Sequence, residues 1–197
     1  MTKQSHREAL LEAGLKTLFA SGYNGSGVRD ICKAAGAPQG SFTNHFRSKE
    51  TFAREVLDRY FDDLKGLVAQ ALDDPALSPS DRLRRYLDII TTRLADAGWS
   101  RGCLIGDLSL EAPAHSEMLR TRLTQIYREW GAPFAACIAQ AQAAGEITAD
   151  ASPDDLADFL LAGWLGSIMR MKVERNPAAL ERFKAIAFST VFARRTG

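Results

Sequence analysis

The chain has 197 residues, 46% hydrophobic and 25% charged, enough for one or two small domains with a real core. A formal net charge of +1 does not by itself single out nucleic acid as a partner, and three widely spaced cysteines (Cys32, Cys103, Cys137) suggest neither a disulfide framework nor a zinc pattern. The first residues lack the apolar stretch of a signal peptide, and no run approaches the roughly 18–20 apolar residues of a membrane span, so a cytoplasmic chain with reduced thiols and no membrane partner is expected.

Helical periodicity runs through the whole chain, and β-branched residues never alternate cleanly with polar ones, so the expected class is all-α with about nine helices. The first helix is expected over 4–21, with Leu11, Leu15, Leu18 and Phe19 on one face and Gly22-Tyr23-Asn24-Gly25 ending it. A second runs to Ala35, with Ser26 as its expected N-cap and Gly36 in the left-handed position after its end. Pro38 opens a short third helix over 38–45, and Ser48 caps a long fourth over 49–72. A linker rich in Pro, Ser and Asp follows, then helices at 80–97 and from Cys103 to Ala112. A long helix over 115–144 is expected to break or kink at Gly131 and Pro133. Ser152 caps an eighth helix over 153–175, and a ninth spans 177–194.

Two short helices joined by a tight turn over 27–46 have the geometry of a helix-turn-helix. The outward residues of the second, Gln39, Ser41, Thr43, Asn44 and His45, are short hydrogen-bonding groups. Gln and Asn can pair bidentately with adenine, and a Thr methyl can meet a thymine methyl. Phe42 and Phe46 hold that helix down from inside, and Lys49, opening the next helix, is placed to take a phosphate. His45 also reads as a structural cap of its helix. Residues 1–50 carry seven Lys/Arg against four Asp/Glu, a net of +3, whereas residues 51–150 carry eleven against fifteen, a net of −4. A basic first quarter fits a small DNA-contacting head and equally an ordinary charge fluctuation.

These residues carry a resemblance. Gly22-Tyr23, Val28-Arg-Asp-Ile31, Lys33-Ala-Ala-Gly36, Gly40-Ser-Phe42, His45-Phe46 and Ser48-Lys-Glu50 resemble the N-terminal domain of the TetR family of transcriptional repressors. The resemblance implies a helix-turn-helix domain over 1–50 and a helical ligand-sensing and dimerisation domain over 51–197. It implies a homodimer on a pseudo-palindromic double-stranded DNA operator, contacted by Arg29, Gln39, Gly40, Ser41, Thr43, Asn44, His45 and Lys49. Thr43 stands where the family usually has Tyr, and Gln39 where it often has Lys, so the operator is expected to differ from those of relatives.

Cys103 follows Gly102, stands beside Arg101 and opens a helix, a setting that favours a thiolate open to electrophiles and oxidants. It also reads as a small residue filling core space, the commonest fate of a free cysteine. The stretches Gly102-Cys-Leu-Ile-Gly-Asp-Leu-Ser-Leu-Glu111 and Leu161 to Arg175 resemble the NemR-like branch of the family, which implies Cys103 and Lys172 as a sensor of electrophiles or oxidants. A related branch binds small carboxylates without covalent change. Asp107, where NemR-like proteins can carry Lys, would raise a neighbouring thiol pKa and oppose anions. Candidate pocket residues are Tyr86, Ile90, Leu104, Asp107, Leu108, Trp130, Phe134, Trp164, Ile168 and Met171. The small and apolar residues Phe159, Gly163, Gly166, Phe188 and Phe192 suggest a dimer through a four-helix bundle.

The expected function is therefore a repressor released by a small-molecule effector or by modification of Cys103. In the alternative the ligand, a small carboxylate or an apolar molecule, is purely non-covalent and Cys103 structural. A remoter one is a cysteine-nucleophile enzyme, for which no base or oxyanion site is evident in the sequence. No cofactor or metal is expected; His115 reads as a cap-region residue without ligand partners.

Overall fold

The computed structural model describes residues 6–193. Among them are nine α-helices, one short 3-10 turn and no strand: α1 (His6–Gly25), α2 (Val28–Ala34), α3 (Gln39–His45), α4 (Lys49–Leu72), α5 (Pro79–Asp96), α6 (Leu104–Glu111), the turn Ala112–Ala114, α7 (Glu117–Ala143), α8 (Pro153–Glu174) and α9 (Ala178–Ser189). The expected starts of the first helix at Gln4 and the end of the ninth at Arg194 lie outside the described residues.

The chain packs as two compact units, and their boundary does not follow the linear order of the sequence. The first holds the described residues up to Asp63 together with Leu104–Ile126; the second holds Leu64–Cys103 and the residues from Tyr127 onward. Helix α4 therefore runs from one unit into the other, and so does α7. The segment carrying α6 belongs with the first unit, although 51–197 reads as a single domain in the sequence.

In the first unit α1 packs on α2, α3 and α6. Its core is apolar and close: Leu10, Leu18, Ile31, Phe52, Leu57 and Phe61 are at most 2% exposed. At Gly14 an added Cβ would run into the Phe52 ring, so that glycine lets α1 and α4 approach. Ion pairs Arg7–Glu55 and Arg59–Glu8 tie the same two helices at their rims, and Arg122 Nε donates to Asp58 at 2.5 Å. Burial of the apolar stripe supplies most of the stability here; rim pairs of this kind each contribute ~1 kcal/mol or less.

In the second unit α8 packs along α9, and α9 also touches α5. Leu83, Tyr86, Leu87, Phe134, Ile138, Leu160, Trp164, Met171 and Leu180 are essentially fully buried. Ser78 and Ser152 cap α5 and α8, each accepting from the N–H three residues on, with Pro at the first helical position in both. The linker thus ends one residue sooner than the expected start at 80.

Three local expectations are corrected. Ser26 does not cap α2; Gly27 stands at that cap without a side-chain bond. Ser26 is instead fully buried, and its Oγ donates back to the carbonyls of Gly22 at 2.5 Å and Thr17 at 3.3 Å. The bend of α1 at Gly22 (φ 69°, ψ −177°) lies between Ser26 and Thr17, and a buried hydroxyl needs a partner. Pro38 is the N-cap of α3 and not its first residue. Finally, α7 runs through Gly131 and Pro133 without a break. Trp130, Phe134 and Ile138 are all at most 2% exposed, so packing on both sides of the proline outweighs one lost helix hydrogen bond.

Candidate nucleic-acid interface and interior site

Helix α3 is seven residues long and has one buried side chain, Phe42. That single anchor is reinforced by an aromatic cluster. Phe42 lies 5.3 Å from Phe46 and 5.1 Å from Phe52, ring centroid to centroid. The turn leading into α3 is set by Gly36 (φ 61°), where a left-handed backbone favours glycine, and by the Ala37 N–H donating to Cys32 C=O at 3.0 Å. With the apolar side held, Gln39, Gly40, Thr43, Asn44 and His45 are exposed and Ser41 is half-buried. Thr43 Oγ1 donates to its own helix at Gly40 C=O, 3.0 Å away, which leaves its methyl and both oxygen lone pairs for outside contacts. Arg29 is exposed on α2.

Lys49 differs from a simple surface cation. Its ammonium lies 4.6 Å from the Tyr23 ring centroid. Burial draws its pKa below the usual lysine value, and the nearby Glu111 carboxylate opposes that shift. Ser48 caps the same helix start, accepting from Thr51 N–H at 3.1 Å. Glu50 accepts from Ser116 Oγ, the hydroxyl that also caps α7 at Leu119 N–H. Glu111 accepts from the Asn24 N–H at 2.9 Å. Neither Ser116 nor Glu111 stands out as a site residue in the sequence; both lie over 60 residues from their partners, and no local pattern signals a pairing at that separation.

The candidate pocket residues divide between the two units. Leu104 and Leu108 are buried in the first, where α6 packs on α1, and Asp107 is half-buried there. In the second unit Tyr86 and Phe134 meet edge-on at 4.8 Å. Tyr86 is fully enclosed: burial first, and the Cys103 sulfur second, push its phenol well above the ordinary tyrosine value. Trp130 Nε1 lies near that phenol but makes no well-aligned hydrogen bond, and Trp164 Nε1 is likewise buried without a partner. Ile168 and Met171 are buried, whereas Ile90 and Lys172 are half-buried. Cys103 is 7% exposed and immediately precedes α6; no disulfide joins it to Cys32 or Cys137. Cys137 donates to Pro79 C=O at 3.2 Å, and burial pushes its pKa up to about 11. Among the described residues no group of three or more His, Cys, Asp or Glu side chains could hold a metal ion.

Of the residues assigned to a dimer face, Phe188 and Phe192 are 5% and 1% exposed within their own chain, with the Arg84 guanidinium 4.1 Å from the Phe188 ring centroid. Both rings pack largely within their own chain. Gly163 is occupied likewise, since a Cβ there would meet the Phe183 ring of α9. Phe159 is 50% exposed and Gly166 has open space beside it. No helix among the described residues is long and apolar enough to cross a membrane.

Two family models match this chain: that of the bacterial regulatory proteins, tetR family, over residues 10–56, and that of the tetracyclin repressor-like C-terminal domain over residues 79–187. The HTH-type transcriptional repressor DhaR of Mycobacterium sp. (strain GP1) is 41% identical over 97% of this chain and 94% of its own length. A crystal structure of regulatory protein TetR from Rhodobacter sphaeroides superposes with a TM-score of 0.88 at 36% identity, covering 92% of this chain and 96% of that one. The reduced form of NemR from E. coli has a TM-score of 0.84 at 26% identity, over 98% of this chain and all of the other. The likeness to NemR is thus the more distant, and it extends over the whole fold.

Proposed function

The chain belongs to the TetR family of bacterial regulatory proteins and is a transcriptional repressor of that family; from this premise we propose that it is a cytoplasmic homodimer that reads a pseudo-palindromic operator with α3 and leaves it in response to a small-molecule effector or to modification of Cys103. One observation carries the reading of DNA: a seven-residue helix held by an aromatic anchor presents Gln39, Thr43, Asn44 and His45 outward together. A helix kept only for packing would not expose four hydrogen-bonding side chains in seven positions. Arg29, Gly40, Ser41 and Lys49 support this face from the adjoining backbone and helix starts. Two such heads on a two-fold dimer match two half-sites of an inverted repeat.

Release is a shift between two arrangements of the repressor, and the effector must favour the one that cannot hold DNA. Modification of Cys103, with Lys172 as its partner, supplies that preference covalently. The 7% exposure of Cys103 supports a second reading, in which a non-covalent ligand uses the interior around Tyr86 and Trp130 and the thiol is structural. Band-shift titration separates the two, using a duplex enriched from random-sequence DNA by the wild-type chain. Under covalent sensing, N-ethylmaleimide or hydrogen peroxide releases wild type and leaves Cys103→Ser bound. Equal release of both proteins removes Cys103 from the mechanism.

A further inference from the structure

Glu111 is the last residue of α6, and the first unit has a place built for its carboxylate. Helix α1 is interrupted at Gly22, whose φ of 69° and ψ of −177° fall in a region essentially reserved for glycine. The Glu111 carboxylate fills the space where a side chain at position 22 would stand, so a Cβ there would collide with both of its oxygens. Two residues on, the Asn24 N–H donates to Glu111 Oε2 at 2.9 Å. On the other side of this joint Ser26 Oγ holds the Gly22 carbonyl at 2.5 Å. Lys49, at the start of α4, faces the same carboxylate while its ammonium lies over Tyr23. A half-buried acid reaching across 87 residues to Asn24, beside a glycine-only bend, does no work that core filling requires; an apolar side chain would serve that purpose at less desolvation cost.

We propose that Glu111 is a positioning residue for sequence reading: it fixes the bend of α1 at Gly22, and so the seating of the α2–α3 pair, without itself touching DNA. The inference rests on the reading role of α3 proposed above. Helices α2 and α3 both pack on α1, so an error in the α1 bend is passed to them. A tilt of about 5° across a seven-residue helix, roughly 10 Å long, moves its far end by about 1 Å. Bidentate hydrogen bonds to base edges do not survive such a shift, whereas phosphate contacts with long side chains do.

The test uses the full-length chain, a duplex enriched from random-sequence DNA by wild type, and a scrambled duplex of the same composition. Glu111→Ala is expected to lower the ratio of selected to scrambled affinity about tenfold, with affinity for the scrambled duplex held at the wild-type value. This ratio is independent of the folded fraction, so lost stability alone does not move it. Glu111→Gln keeps an oxygen for the Asn24 N–H and is expected to hold the ratio within about twofold. A wild-type ratio in Glu111→Ala, or an equal loss in both variants, overturns the proposal. If wild type enriches no duplex at all, the reading role of α3 fails first and the positioning role falls with it; failure confined to the variants leaves that role standing.

Discussion

Phe46 meets Phe52 edge to face, with ring centroids 4.8 Å apart. This contact joins the residue that ends α3 to the first turn of α4, and Phe42 completes the cluster from within α3. Helix α3 is too short to be stable alone, so its conformation depends on these rings. Phe42→Ala is expected to cost ~3–5 kcal/mol in urea unfolding, in line with other buried Phe truncations, and to abolish DNA binding. Unfolding at the wild-type midpoint would show that the helix is held by something else.

Asn44 is exposed on the outward face of α3 and no intrachain hydrogen bond involves it among those seen. Its removal therefore leaves the fold intact. If it pairs with a base edge, Asn44→Ala lowers affinity for the selected duplex by about ten- to a hundredfold, the equivalent of ~1–3 kcal/mol per bidentate contact. Affinity for a scrambled duplex should stay the same, and an unchanged preference would remove Asn44 from the reading surface.

Ser26 is fully buried and gives its hydroxyl to two carbonyls of α1. Alanine at this position removes both of these hydrogen bonds from a fully buried site. A loss of ~1–3 kcal/mol is expected in chemical denaturation, while Ser21→Ala on the exposed surface of the same helix should stay within about 0.5 kcal/mol.

The helix positions were legible because caps and breakers are local signals. Ser48, Ser152 and Pro153, Gly36 and the outward polar run of α3 each act within a few residues of the feature they set. What was not legible depends on partners far along the chain. Ser26 turns back to the Gly22 carbonyl of α1, and Phe188 lies against Arg84 of α5, more than 100 residues away. At Pro133 a strong local breaker sits in a helix whose buried stripe continues past it, so the helix does not end there. Helix α6 groups with the first unit by packing on α1, a relation between distant segments that no local pattern signals.

The cysteines should differ in reactivity. Burial raises the pKa of Cys137 to about 11, and that of Cys32 is raised as well, again by burial. For a thiol the raised value means that the neutral form persists as pH rises, so the thiolate fraction of Cys137 at pH 8 is about a hundredfold below that of an ordinary thiol. Site-resolved N-ethylmaleimide labelling of the native protein should place Cys137 last, and its rate should still climb about tenfold per pH unit above pH 8.5, where an ordinary thiol begins to level off. Rapid labelling of Cys137 at pH 8 would mean that its site opens readily to solvent.

Gly163 and Gly166 sit one turn apart on α8 and have opposite surroundings. A Cβ at Gly163 would press into the Phe183 ring, whereas Gly166 has nothing within 4 Å. Gly163→Ala is therefore expected to destabilise the chain by ~1–3 kcal/mol through overpacking of α8 on α9. Within a single chain Gly166→Ala should gain roughly 0.5–1 kcal/mol, because alanine restricts the unfolded backbone and favours the helix. The two predictions part again in the assembly. If a second copy packs against the open side of α8, beside the exposed Phe159 and Ile186, the methyl at 166 acts only there. Sedimentation equilibrium should then show a weaker dimer for Gly166→Ala, even though its chain is at least as stable as wild type. An undiminished dimer would move the two-fold contact away from Gly166.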